Sequence, residues 1–366
     1  MWNNWLMIYA LVFAGALAAS LISTFFFRKI AWRIGFLDRP ADNHKGHAKA
    51  TPLLGGAAMF SAWILCVVCG AIVMMSGCGP QAWRDIWMIH AAGFRSVSLE
   101  LSFVVIAALL AVLLGLIDDR FALSAKAKFG GQFLVALIAV IGGGIKINLF
   151  DSMPLLPEAV TVFWIVLMMN SINFFDNMDG LAAGTIAIAM FFFLVIAALN
   201  GECFLAVFAA LNCGVCCGFW VFNSNPASIF MGDSGSHFIG FLAAVMAVQV
   251  TFFDKSFSMS RFPVLIPAFI LALPLFDTLM VVAIRTWKRK PFWIGDHNHI
   301  SHRFVKMGLT RPQAVLMVHL LSLSIGLTAL PIFWGNFRTA AVLIVQVLLQ
   351  LAVITILQFT LGKKVE

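Results

Sequence analysis

The 366 residues read as an all-α, polytopic integral membrane protein of about eleven transmembrane helices. Three observations carry that reading. Hydrophobic residues make up 62% of the chain and charged residues 11%, against roughly 25% charged in ordinary globular domains. Mean hydropathy is +0.98. The apolar residues also gather into runs long enough to cross a bilayer, which takes about 20 residues each. A soluble domain with so few charges could not cover its own surface. A disordered chain, a secreted disulfide scaffold and a typical nucleic-acid binder are therefore excluded.

The first run, 5–27, has no basic residue before it, while Arg28, Lys29 and Arg33 follow. Ala16-Leu17-Ala18 resembles a cleavage site, but the run continues through Phe27, so a retained span is expected. The runs 53–75, 99–117 and 128–144 come next, the third closing on Asp118-Asp119. Three closely spaced runs, 159–175, 180–199 and 203–222, precede 235–253. The ninth, 262–284, carries Pro267 and Pro274, which predict a bend, and Asp277 near its inner end. The last two are 313–333 and 338–361. Six of the seven cysteines lie inside these runs; the Cys66/Cys69 and Cys213/Cys216 spacings imitate CxxC but sit mid-span and read as small hydrophobes. There is no internal repeat, and residues 1–366 read as one membrane-embedded domain.

Basic residues set the orientation. With the N-terminus outside, loops 28–52, 118–128, 223–234 and 285–312 and the C-terminus become cytoplasmic. Eighteen of the 24 Lys and Arg then lie inside. Most of the net charge of +8 is thus topology.

Acids at span ends are informative, because a central Asp costs about 2.5–3.5 kcal/mol to insert. Asp118 and Asp119 end a helix at the negative pole of its dipole and need a compensating positive group; Arg120, Lys126 or a divalent cation would serve. Asn170, Asn173, Asp176 and Asp179 recur every three residues and, if helical, wind along one side as a polar ridge. The segment 223–236 holds no Lys or Arg although it is cytoplasmic, and places Asp233 among small residues. That suits a cation or phosphate; a turn with Asp233 or Ser234 capping the next helix is the plainer reading. The loop 285–312 carries seven basic residues and His297, His299 and His302; donors of this kind suit a phosphate or diphosphate better than zinc. Lys45, His47 and Lys49 add cations to the same face. Together these clusters form an all-oxygen centre beside basic loops, which selects Mg²⁺, with Mn²⁺ the alternative, over softer metals and contains the parts of phosphoryl transfer.

The motifs IDDR, NxxNxxDxxDGLA, FMGDSGS, LPLFDT and the histidine loop, in this order, resemble the bacterial polyprenyl-phosphate N-acetylhexosamine-1-phosphate transferases over nearly the whole chain. The resemblance implies transfer of a sugar 1-phosphate, most readily GlcNAc-1-phosphate, from a UDP-sugar to undecaprenyl phosphate in the cytoplasmic membrane, with release of UMP. It further implies Asp233 and Asn173 as Mg²⁺ ligands and Asp118, beside Asp119, as base or orienting group. Asp176, Asp179, Asn223 and Phe230 would hold the nucleoside, and Lys45, His47, His299, His302 and Arg303 phosphate or sugar. A homodimer is compatible with it. Three positions depart from the family pattern: Ser301 stands where a histidine is frequent, His297 where an arginine is common, and Asn177 where a glycine is usual. The muramoyl-pentapeptide transferases are the near alternative, although three adjacent histidines are missing. A secondary transporter is the rival from another class, but transporter acids usually lie at the midplane and come with repeated halves. A lipid phosphate dianion is already a nucleophile near neutrality, its second pKa being about 6. Direct in-line attack on the β-phosphorus is thus expected, with a covalent aspartyl-phosphate as the other route.

Overall fold

A computed structural model describes residues 2–39, 50–77, 81–147, 153–250, 262–289, 291 and 298–361. Among them helices dominate. They are α1 (Trp2–Ile34), α2 (Gly55–Ser76), α3 (Gln81–Ser96), α4 (Ser98–Phe121), α5 (Ala125–Leu137), α6 (Leu156–Phe175), α7 (Leu181–Leu199), α8 (Cys203–Asn223), α9 (Gly232–Gln249), α10 (Ile266–Ile270), α11 (Ala272–Trp287), α12 (Ile300–Lys306), α13 (Arg311–Trp334) and α14 (Phe337–Leu361). A π-helical turn, Ile138–Gly142, prolongs α5. Strands β1 (Leu37–Asp38) and β2 (Thr51–Pro52) pair antiparallel and bring together the two ends of the segment between α1 and α2.

Nine of these helical segments are long and apolar enough to cross a membrane. A tenth span is broken: Pro263–Ile270 and Ala272–Trp287 meet at 72°. Pro267 and Pro274 sit in the first turns of α10 and α11, where a missing N–H removes no helical bond. The expected bend is therefore a full break. The eleventh expected span is α9, whose polar start Gly-Asp-Ser-Gly-Ser-His makes it less apolar than the rest. It is also the centre of the bundle. Every residue from Ser234 to Ala247 is buried, with α2, α4 and α6 packed around it. Phe238 meets Phe60 and Trp63 edge-on at 5.7 Å. The helix α3, amphipathic and short, was not expected; it occupies what reads in the sequence as an outer loop.

Gly115 lets α4 and α9 touch. A Cβ there would come within 2.2 Å of the Ser234 backbone. The outermost helices are the reverse of α9. Leu348, Leu349, Val353 and Ile356 of α14 are exposed, as a lipid-facing surface requires.

Candidate functional site

The C-terminal end of α4 runs into the N-terminal end of α9, and the site begins there. Asp119 Oδ1 accepts from the Asp233 N–H at 2.8 Å, and Oδ2 from the Ser234 N–H at 3.2 Å. The carboxylate thus occupies the positive pole of α9. Gly232 has φ +69°, and a Cβ on it would lie 2.6 Å from Asp119 Oδ2. Only glycine permits both the left-handed turn and the close approach. The α9 start is therefore capped from α4, not by the side chain of Asp233 or Ser234 as the plainer sequence reading had it.

The second positive group is Lys128 on α5, not Arg120 or Lys126. Its Nζ lies 2.8 Å from Asp118 Oδ2 and 2.6 Å from Asp233 Oδ2, and donates to Asn173 Oδ1 at 3.4 Å. Asp118 is buried, and its Oδ1 accepts from the Leu123 N–H at 2.8 Å. Asn173 Nδ2 donates to Asp233 Oδ1 at 2.6 Å and to Ser236 Oγ at 2.9 Å. Three helices, α4, α6 and α9, therefore converge through oxygen atoms on the one ammonium group that α5 carries.

Beneath this cluster lies a buried amide layer. Gln132 and Asn170 exchange hydrogen bonds of 3.3 and 2.6 Å, and Gln132 Nε2 is 3.0 Å from His237 Nε2. Gln132 lies one turn after Lys128, so this exchange between α5 and α6 fixes the helix that carries the lysine.

The polar ridge is only partly helical. The helix α6 ends at Phe175, Asp176 is its C-terminal flank, and Asp179 lies in the turn before α7. Burial, then the carboxylates of Asp233, Asp119 and Asp179, push the Asp176 carboxyl up to about 7. Asp179 Oδ2 accepts from Asn225 Nδ2 and from the Ala227 N–H, both at 3.0 Å. Asn223 is buried and braces the same turn. Its Oδ1 accepts from the Gly180 N–H at 3.0 Å, and its Nδ2 donates to the Ile229 carbonyl at 2.9 Å. Asn223 thus shapes the α6–α7 turn and the segment after α8 through backbone groups. Phe230 is pinned by its main chain, its N–H donating to the Pro52 carbonyl at 2.8 Å.

Asp277 organises the histidine loop. Its Oδ2 lies 2.6 Å from His299 Nδ1, and its Oδ1 accepts from the Ile300 N–H at 2.6 Å. The His302 ring lies 6.3 Å from that of His299. Arg303 is buried against the Phe359 ring of α14, 5.4 Å from its centroid, and does not join the acid cluster. Burial lowers its pKa, and Asp277 partly opposes this. Lys45, His47 and His297 lie outside the described residues.

The sequence reading missed Lys128, Gln132 and Asp277 as site residues. Two signals could have found them. Lys128 and Gln132 are polar residues one turn apart at the inner end of an apolar run, and Asp277 is an acid inside another.

The fit to a divalent cation is that of a hard oxygen set with few protein ligands. Among the described residues no group of three or more His, Cys, Asp or Glu is arranged as a ready metal cage. The oxygens of Asp118, Asp233 and Asn173 nevertheless already converge on a cation, the lysine. Mg²⁺ is held in this manner, by one or two carboxylates plus water and substrate phosphate.

An apolar groove of about 500 Å³ lies between α5 and α6, lined by Phe133, Leu137, Ile141, Leu155, Val162 and Phe163 among others. It starts about one turn beyond Lys128.

Residues 101–251, which hold Asp118, Lys128, Asn173, Asp176 and Asp233, match the family model described as glycosyl transferase family 4. The chain is 32% identical over 327 residues to a probable undecaprenyl-phosphate N-acetylglucosaminyl 1-phosphate transferase of Bacillus subtilis, covering 87% of this chain and 83% of the relative. It is 29% identical over 349 residues to a decaprenyl-phosphate N-acetylglucosaminephosphotransferase of Mycobacterium tuberculosis, covering 87% and 81%. A third relative is the undecaprenyl-phosphate alpha-N-acetylglucosaminyl 1-phosphate transferase of Escherichia coli K12, 26% identical over 320 residues, covering 83% and 79%. Motif order, acid cluster and likeness over most of its length agree: the chain belongs to glycosyl transferase family 4, among the polyprenyl-phosphate N-acetylhexosamine-1-phosphate transferases.

Proposed function

We propose that this protein transfers N-acetylglucosamine 1-phosphate from UDP-N-acetylglucosamine to undecaprenyl phosphate at the cytoplasmic face of a bacterial inner membrane, with Mg²⁺ as cofactor. The observation that carries the reading is the convergence of Asp118, Asn173 and Asp233 on Lys128 at one end of the bundle. Acids gathered at one end suit a reaction at a membrane surface better than passage through the midplane.

The chain's own groups divide the work. Lys128 supplies a positive charge where two phosphate anions must approach, which lowers their repulsion. Asp118 and Asp233 hold that ammonium in place, and the amide layer holds the helix that bears it. His299, oriented by Asp277 through Nδ1, presents its other ring nitrogen to the donor's phosphate or sugar. Asp233 and Asn173 would hold Mg²⁺, which when bound neutralises charge on the diphosphate. The lipid phosphate oxygen attacks the β-phosphorus in line. The new O–P bond forms as the bond from that phosphorus to the bridging oxygen breaks, and UMP leaves with that oxygen. Because the lipid phosphate is already a dianion near neutral pH, Asp118 acts by positioning more than by proton removal. The groove between α5 and α6 suits the isoprenoid tail, since its lining is largely apolar and starts about one turn beyond Lys128.

Detergent-solubilised protein, undecaprenyl phosphate and Mg²⁺ should release UMP with UDP-N-acetylglucosamine and less with other UDP-sugars. Asp233→Asn should lower that rate by about 10²-fold or more at equal protein level, the scale for losing one electrostatic element of a site. No UMP from any sugar would overturn the reading.

A further inference from the structure

Two positions where the chain departs from its family pattern touch each other. Ser301 Oγ donates to Asn177 Oδ1 at 2.5 Å. Asn177 Nδ2 in turn donates to the Phe174 carbonyl at 3.0 Å, one of the last carbonyls of α6. Ser301 is completely buried. The amide is engaged from both sides and the hydroxyl proton is used, so the pair is closed on itself. It is a link between two loops more than a ligand contact.

On the transferase reading, the two loops it links serve opposite ends of the donor site. Asn177 stands between Asp176 and Asp179, in the turn that Asn223 braces. Ser301 stands between His299 and His302 in α12. The grips that Asp277 and Gln358 exert on this loop come from α11 and α14 and fall on His299 and Ile300. Ser301 reaches across to the α6–α7 turn.

We infer that the Ser301–Asn177 hydrogen bond is a positioning pair, setting the span between the nucleoside end and the phosphate–sugar end of the donor site. This rests on the transferase reading above. A nucleotide-sugar occupies both ends at once, so it is sensitive to their separation. UMP lacks the β-phosphate and the sugar, the parts that the transferase reading gives to the histidine loop. Loss of the pair therefore weakens the nucleotide-sugar and spares UMP. General destabilisation would weaken both.

The test is calorimetric titration of the full-length protein in detergent with Mg²⁺, using UMP and UDP-N-acetylglucosamine separately. A single neutral hydrogen bond is worth 0.5–1.5 kcal/mol, so Ser301→Ala and Asn177→Ala should each raise the Kd for the nucleotide-sugar about two- to tenfold and leave that for UMP unchanged. Ser301→Thr, which keeps the hydroxyl, should bind as the wild type does. The double alanine variant should be no worse than Asn177→Ala alone, because Ser301→Ala removes no bond that the loss of Asn177 has not already removed. Unchanged nucleotide-sugar binding in both single variants, equal losses for UMP, or losses that add would overturn the inference. Wild-type protein that binds neither ligand would overturn the transferase reading and the pair's role with it. Wild-type protein that binds both, with variants that bind equally well, would overturn the pair's role alone.

Discussion

Asp176 shows what it costs to gather acids. Its carboxyl is pushed up to about 7 from an ordinary 3.8, so the folded protein keeps a proton that the unfolded chain has lost. Between those values the folded state binds more protons, and its stability falls as pH rises through that window. Above about 7 the penalty is constant, and below about 4 it is absent. Asp176→Asn should thus raise the thermal midpoint in detergent above pH 7 by several degrees and leave it unchanged near pH 4. Equal midpoints at both pH values would refute the assignment. Single residues were also where the sequence was least informative. Asp118, Asp119, Asn173 and Asp233 stand out as polar groups where lipid would tolerate none. Lys128 is disguised, because a lysine at the inner end of a span already satisfies the orientation rule. Asn177 and Ser301 interact across 124 positions, and no local pattern encodes that contact.

At the scale of elements, hydropathy located the spans well because a bilayer filters each segment by length and apolarity alone. It located α9 despite its polar start, and it missed α3, whose apolar face is too narrow to register as a run. It could not foresee that Pro267 and Pro274 break a span completely, since a proline only removes bonds and the neighbours decide the angle. The polar start of α9 has a further effect. This helix is not among the nine segments long and apolar enough to cross a membrane, and several of its polar groups are paired by α4, α5 and α6. In an insertion reporter, α9 alone should integrate poorly beside α8 or α14. Integration as efficient as theirs would show that it does not depend on its neighbours.

For the whole molecule, the charge distribution predicts which way the bundle faces. Lys306 of α12 lies in the loop assigned to the cytoplasm, whereas Lys146 pairs with Glu158 at 3.4 Å in a loop assigned to the outside. Single cysteines placed at these two positions in a chain whose own cysteines are replaced should react with an impermeant maleimide from opposite sides. Lys306→Cys should label only in inverted vesicles; labelling of Lys306→Cys in intact cells would reverse the orientation and remove the proposed site from the cytoplasm.

The neighbouring carboxylates at the end of α4 carry a lesson for anyone screening variants. One of them closes on the ammonium of α5, and the other closes on the backbone of a helix more than a hundred positions further along the chain. Loss of the first should leave a protein that accumulates but turns over slowly. Loss of the second should leave little protein at all, because α9 would lose the cap that seats it. A selection for inactive alleles would return both codons side by side, and only an immunoblot would tell the chemical lesion from the assembly defect.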